Sequence, residues 1–283
     1  MVTLFFVISG YVLSYSALKK IRSRQAAQLL DSLASSVFRR WLRLFLPLIV
    51  STFITVIFVR MGWVDDALAT RVTLLPGPLP SRWAQIKDWW TSFILLSNTF
   101  MGMDEESVYA DQYGSQLWTI PREFRGSIVV YVTLLGLAKT RQTFHVLSVI
   151  AFSLYALYIA QWDIYLFLSG MALAEIQFIY NEARQNNASS LQKYIPRAVK
   201  RHRKGILYIV TTLATLLAIH FLTIPDEGLD SAPGYGWMLA NTPLQYGSVS
   251  LRQKFWLCLG APLLCLAMIF SPPTSSNPSP IPQ

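Results

Sequence analysis

Apolar residues run in long unbroken blocks along the chain instead of alternating with polar ones. Met1 to Leu18, Leu44 to Val59, Gln142 to Trp162, Gly205 to Pro225 and Phe255 to Gln283 contain no Asp, Glu, Lys or Arg. A helix needs about 20 residues to cross the hydrocarbon core of a bilayer, and several of these blocks approach that length. The pattern predicts an all-α fold, a polytopic membrane helical bundle of about seven transmembrane helices. The spans are expected near 2–18, 44–60, 117–138, 143–160, 164–180, 205–224 and 254–270. A further apolar stretch, Trp89 to Met103, is short and carries paired tryptophans at its start. Such rings suit the headgroup region, so it is expected to be an interfacial or re-entrant helix on the outer side. The bundle forms one membrane domain over 1–270. The Pro- and Ser-rich end "SPPTSSNPSPIPQ", residues 271–283, is expected to be a disordered tail.

Composition supports this and excludes a soluble class. Apolar residues make up 53% and charged residues 14%, whereas soluble domains carry about 25% charged residues. Charge also sets an orientation. Sixteen of the 24 Lys and Arg residues fall in the segments 19–43, 139–142 and 181–204, and basic loops mark the cytoplasmic side. The N-terminus is then expected outside and the C-terminus in the cytoplasm. A net charge of +9 could suggest nucleic acid, but the basic residues sit beside membrane spans, where anionic lipid is the expected partner. The sequon at Asn187 falls in an expected inner loop and should carry no glycan. The first block lacks the basic start and small-residue cleavage site of a signal peptide, and ends in "KKIRSR". Cys258 and Cys265, seven apart, would stand about 10 Å apart along a helix, too far for a disulfide.

Four stretches combine membrane helices with chemistry-bearing residues. In "FFVISGYVLS" (Phe5 to Ser14), Gly10 and Ser14 form a small-xxx-small pair that allows another backbone to approach, and Ser9 and Ser16 share a different face. In "FRRWLRLFLP" (Phe38 to Pro47), Arg39, Arg40 and Arg43 are expected at the inner mouth of the second span. Arg forks suit phosphate groups, and an ordinary topology anchor is the simpler reading. In "LWTIPREFRGSIVVY" (Leu117 to Tyr131), Arg122, Glu123 and Arg125 enter a membrane helix together. Ionisable groups at that depth default to a functional site, and a wet helix start is the plainer reading. Glu123 needs a partner on another helix or a water-filled cavity, because its charged neighbours point elsewhere. "FLSGMALAE" (Phe167 to Glu175) reads as a tightly packing span, with Glu175 near the inner end and able to reach water. No metal-spaced cluster, Ser-His-Asp arrangement or phosphate-binding glycine loop occurs.

Together these stretches resemble the acyltransferase-3 family of integral membrane acyltransferases, its fungal members most closely. That family places "FFVISG" in its second helix, a basic "RRxxRxxxP"-like segment at the third, "LWTLPxEFRGS" at the next, and "FLAGMxLAE" after it. All four occur here in that order, over roughly Leu4 to Gln177. "PGYGWM" and "FWLCLGAPLL" are similar to a more diverged continuation. The resemblance implies transfer of an acyl group, with acyl-CoA as the donor, to a hydroxyl acceptor on a sugar, lipid or small metabolite, and no bound cofactor. It implies that Glu123 is the catalytic acid residue and that Arg39, Arg40 and Arg43 bind the donor. Ser9, Trp118, Arg122 and Arg125 are the remaining substrate-site candidates.

The family's essential histidine, in a position suited to a general base, lies in a helix that precedes "FFVISG". That helix and the family's last helices are expected to be missing from these 283 residues, which would leave the chain inactive by itself. Arg122 also departs from the commoner apolar residue before Glu123. Of the three histidines, His202 reads as a solvated loop residue, His145 as an interface residue, and His220 as the best surrogate base. Two other classes remain open: a small-molecule transporter with Arg122 and Glu123 lining its path, and a noncatalytic membrane fragment.

Overall fold

A computed structural model describes residues 2–23, 25–63, 76–100, 112–190, 197–225 and 232–271. Its regular elements are all helical: α1 (Val2–Arg22), α2 (Ala26–Met61), α3 (Arg82–Ser97), a 3-10 turn (Ser115–Trp118), α4 (Thr119–Leu137), α5 (Gln142–Tyr158), α6 (Trp162–Ser190), α7 (Arg197–Leu222), α8 (Gly236–Ala240) and α9 (Val249–Phe270). Among the described residues, five segments are long and apolar enough to cross a membrane: Val2–Arg22, Leu29–Met61, Trp162–Ala183, Gly205–Leu222 and Val249–Phe270. The protein is therefore membrane-embedded. The two other expected spans fall short of that test for different reasons. α4 carries three charges, and α5 is a shorter apolar helix of 17 residues.

α6 is the centre of the bundle. Every residue from Tyr165 to Glu175 is buried, and a helix covered on all sides belongs inside. It packs against α1, α4, α5 and α9. The tightest contact is with α1, and glycine permits it. A Cβ added at Gly10 would clash with the carbonyl of Phe167, and one added at Gly170 would clash with the carbonyl of Val7. The small-xxx-small reading of the first stretch thus describes a real backbone-to-backbone approach. The Phe167 side chain continues the theme: its ring occupies the space beside Gly126 of α4 and tilts against Phe6 at 5.2 Å. By contrast, α7 presents Ile206, Ile209, Leu213 and Leu216 to the outside. Such faces suit lipid, since acyl chains are as apolar as leucine.

Several loops expected from the sequence are helical. The basic segment 19–43 is mostly helix, because α1 continues to Arg22 and α2 begins at Ala26. α2 then runs unbroken for 36 residues through Pro47, so the second span is far longer than 44–60. It stops at Gly62, whose left-handed φ of 70° lets Trp63 donate back to the Phe58 carbonyl. α6 likewise extends to Ser190, which puts Asn187 in a helix instead of a loop. No Gly or Pro interrupts 26–43 or 181–190, which lets both helices run on. The expected interfacial segment is helical from Arg82 to Ser97 and packs on α2, where Trp89 donates to Thr52 at 3.0 Å. Residues 101–103 of that stretch and 272–283 of the expected tail lie outside the described residues.

The connection from α5 to α6 sets up the site. Ala160 takes a left-handed φ of 58°, and Gln161 donates back to the Ala156 carbonyl at 2.9 Å. This tight reversal delivers Gln161, Trp162 and Asp163 to the end of the bundle where α4 begins. Cys258 and Cys265 are both free thiols, as their spacing requires.

The glycine contacts generate a test. Gly10→Val and Gly170→Val should lower the thermal unfolding midpoint of the purified protein in detergent, because overpacking costs about 1–3 kcal/mol. Gly136→Ala, which has nothing within 4 Å, should leave it unchanged or slightly raised. Equal midpoints for all three variants would show that the α1–α6 approach does not support the fold.

Candidate functional site

The site is built on the first turns of α4. Pro121 sits where its missing N–H costs nothing, and the chain then presents Arg122, Glu123 and Arg125. At about 100° per residue these side chains point in different directions, so each finds its partners on a different helix. Glu123 accepts a hydrogen bond from Arg40 Nη2 of α2 at 2.6 Å. Arg125 uses Nε and Nη2 together on Oδ2 of Asp163, at 3.0 and 2.5 Å, and Nη2 also donates to Gln161 at 3.2 Å. Asp163 is fully buried and Arg125 is 3% exposed. Arg122 turns instead toward two tryptophans, its guanidinium carbon 5.8 Å from the Trp118 ring and 5.1 Å from the Trp162 ring. The Lys254 ammonium from α9 stands at the same two distances from the same rings.

Of the residues singled out in the sequence, Arg40, Trp118, Arg122, Glu123 and Arg125 gather at this end of the bundle. Arg39 and Arg43 do not. Both are exposed on α2, and Arg39 Nε donates to the Ser35 carbonyl of its own helix at 3.3 Å. Ser9 is half-buried on α1 beside the Gly10 contact. The basic cluster lies within one continuous helix, where Arg40 follows Ala26 by fourteen residues, about 21 Å along its axis.

A second ionic layer lies twelve residues further along α6, about 18 Å away. Arg22 donates to Glu175 at 2.6 Å and also bonds Glu182, while His145 Nδ1 lies 3.0 Å from the other Glu175 oxygen. This revises two expectations. Glu175 is 3% exposed and enclosed by Arg22 and His145 instead of reaching water, and His145 is 3% exposed inside the bundle instead of at an interface. Both follow from α1 extending to Arg22, which reaches α6 at Glu175 and Glu182. His220 stacks on Tyr235 with ring centres 4.7 Å apart. The His202 side chain lies outside the described residues.

Asp163 and Lys254 are site residues that the sequence reading does not single out. The available signal was "QWDIYLF", an acid at the first turn of an apolar span. The energetics differ among these groups. Removing one partner of a buried ion pair costs about 3–5 kcal/mol, because the other charge is left uncompensated. Cation–π contact contributes about 0.5–2 kcal/mol and compensates Arg122 less fully. Among the described residues no group of three or more His, Cys, Asp or Glu side chains could hold a metal ion.

Comparison with known proteins finds similarity to three proteins named as acyltransferases or an O-acetyltransferase. The chain is 28% identical over 265 residues to the O-acetyltransferase PaAT-1 of Phomopsis amygdali, covering 87% of this chain and 51% of that protein. It is 24% identical to the acyltransferase clz18 of Cochliobolus lunatus and 25% identical to the acyltransferase R4 of a Phoma species, each over 94% of this chain and 60% of the relative. The chain thus spans about half to three fifths of the length of these relatives. No family model matches it, and no solved structure does.

The Arg125–Asp163 pair can be tested by a double-mutant cycle read as thermal or denaturant stability. Arg125→Met and Asp163→Asn should each destabilise by about 3–5 kcal/mol, and the double variant by clearly less than their sum. Strict additivity would show that the two side chains are not coupled.

Proposed function

We propose that this protein is an acyltransferase of the acyltransferase-3 type, crossing the membrane seven times with its N-terminus outside. It moves an acyl group from acyl-CoA to a hydroxyl of a sugar, lipid or small metabolite. The observation that carries the reading is the Arg40–Glu123 pair. The stretch that the resemblance assigns to the donor and the stretch that it assigns to the essential acid meet across 83 residues of sequence, from different helices. The acyltransferase names of the aligned relatives support the same chemistry.

In this reaction the acceptor oxygen attacks the thioester carbonyl. A C–O bond forms, the C–S bond breaks, the hydroxyl proton passes to a base, and the thiol leaves with a proton. Glu123 is the carboxylate that orients the hydroxyl and handles its proton. Arg40 holds Glu123 in place through their hydrogen bond, and its second task is to stabilise negative charge on the donor. Of the described histidines, His145 is occupied by Glu175 and His220 by Tyr235. In the family that the chain resembles, an imidazole base stands in the helix before the stretch that matches "FFVISG", and would share the proton handling with the carboxylate.

Purified protein in vesicles, given radiolabelled acyl-CoA and a panel of hydroxyl acceptors, tests the assignment. Glu123→Gln should leave insertion intact and reduce transfer by about 10²- to 10⁴-fold, the usual contribution of a positioned acid or base. Arg40→Gln should raise KM for the donor about tenfold. Wild-type rates in Glu123→Gln would exclude a catalytic carboxylate. Acceptor flux without any acyl donor would move the protein to the transporter class.

A further inference from the structure

α2 turns its arginines to different surroundings. Arg40 meets Glu123, whereas Arg39 and Arg43 are exposed, and among the described residues neither has a carboxylate partner. Arg39 gives its Nε to the Ser35 carbonyl of its own helix, so its two terminal nitrogens remain for an outside acceptor. Arg39 and Arg43 are four positions apart on one face, where like charges repel, and Arg43 also acts against Arg40 through space. The fold leaves this repulsion standing. The same face then becomes apolar. From Arg39 the exposed positions Arg43, Leu46, Val50, Phe53 and Ile57 follow at alternating steps of four and three, the spacing that keeps side chains on one line along a helix. The uncharged stretch after Arg43 ends at Arg60, seventeen residues on. That is about 25 Å of helix, close to the roughly 30 Å hydrocarbon core of a bilayer. Arg39 and Arg43 therefore stand at headgroup level, and the apolar line below them descends along the acyl chains.

We propose that Arg39 and Arg43 hold the phosphate of one anionic phospholipid, whose acyl chain lies along Leu46, Val50, Phe53 and Ile57. The two guanidinium groups start about 6 Å apart along the helix axis, and each fork can give paired N–H donors to phosphate oxygens. The bound anion offsets the repulsion among the three arginines and leaves Arg40 to Glu123. A soluble phosphate would satisfy the arginines alone. The lipid also covers the apolar line that continues from them, and anionic headgroups gather at basic residues beside a span. This role differs from the donor contact that the family resemblance gives to Arg39 and Arg43, and it holds whether or not the chain transfers acyl groups.

Lipid retention reads this site directly. The full chain in neutral detergent is equilibrated with dioleoyl phosphatidylglycerol or with zwitterionic dioleoyl phosphatidylcholine, and the bound lipid is counted by native mass spectrometry. One phosphatidylglycerol should be held at least tenfold more tightly than one phosphatidylcholine, by an interaction that weakens as salt rises. The double variant Arg39→Gln with Arg43→Gln should lower that preference about tenfold, while its thermal midpoint without added lipid stays at the wild-type value, since both side chains are exposed. Lys19→Gln with Lys20→Gln removes the same charge from the last turn of α1 and should keep the preference, which separates a built site from net charge. Adenosine 3′,5′-bisphosphate should leave the lipid in place. Equal retention of the two lipids, equal loss in the two double variants, or displacement of the lipid by the bisphosphate would overturn the proposal, the last by assigning the arginines to a soluble phosphate. No turnover is measured, so a failed lipid site leaves acyl transfer standing, and an inactive chain leaves the lipid site testable.

Discussion

A charge placed among lipid-facing helices must find a counter-charge on another helix, and α6 is where this chain satisfies that requirement. Asp163 at one end takes Arg125 from α4. Glu175, twelve residues on, takes Arg22 from α1 and faces His145 from α5. Each pair couples the fully covered helix to a different neighbour. The cost of desolvating these groups is large and is offset only when geometry is good. The two layers therefore select one arrangement of α1, α4 and α5 around α6 out of the many that apolar faces alone would allow. Hydrocarbon packs as readily against one leucine face as another; an arginine fork does not.

Between the ionic layers the packing is governed by backbone proximity. Gly10 and Gly170 bring α1 and α6 so close that each glycine lies against the other helix's carbonyl, and Gly126 makes room for the Phe167 ring. This closeness draws α1 and α4 in toward α6 and leaves the α4 charges facing protein instead of lipid. α2 then crosses α4 where Phe45 meets Phe124 edge-on at 5.7 Å, and this contact carries Arg40 to Glu123. The candidate site is thus a consequence of small residues on one helix and an aromatic side chain on its neighbour, several residues removed from the chemistry.

The same architecture explains why the basic cluster divides. Arg39, Arg40 and Arg43 lie on one helix, but only Arg40 turns toward α4, because neighbouring helical positions differ by about 100°. Arg39 and Arg43 remain on the exposed side, available to a phosphate group or to anionic lipid. One arginine fixes the acid while its neighbours face outward, which lets a single segment serve both the inside and the outside of the bundle.

Sequence alone determined the helical, membrane-embedded class, since uncharged blocks near bilayer length have few other uses. It also showed that Glu123 needs a partner off its own helix, and that Gly10 and Gly170 mark close packing, because helical periodicity and residue size are local properties. The lengths of α2 and α6, the enclosure of Glu175 and His145, and the roles of Asp163 and Lys254 emerged only in the tertiary structure. Those depend on which helices stand side by side. Arg40 and Glu123 are joined by nothing between positions 40 and 123 that could be read along the chain, and Asp163 looks like a loop acid until a reversed turn at Ala160 sets it against Arg125. Pairing across helices is a property of the assembled bundle, where low polarity makes each charge choose a partner in space.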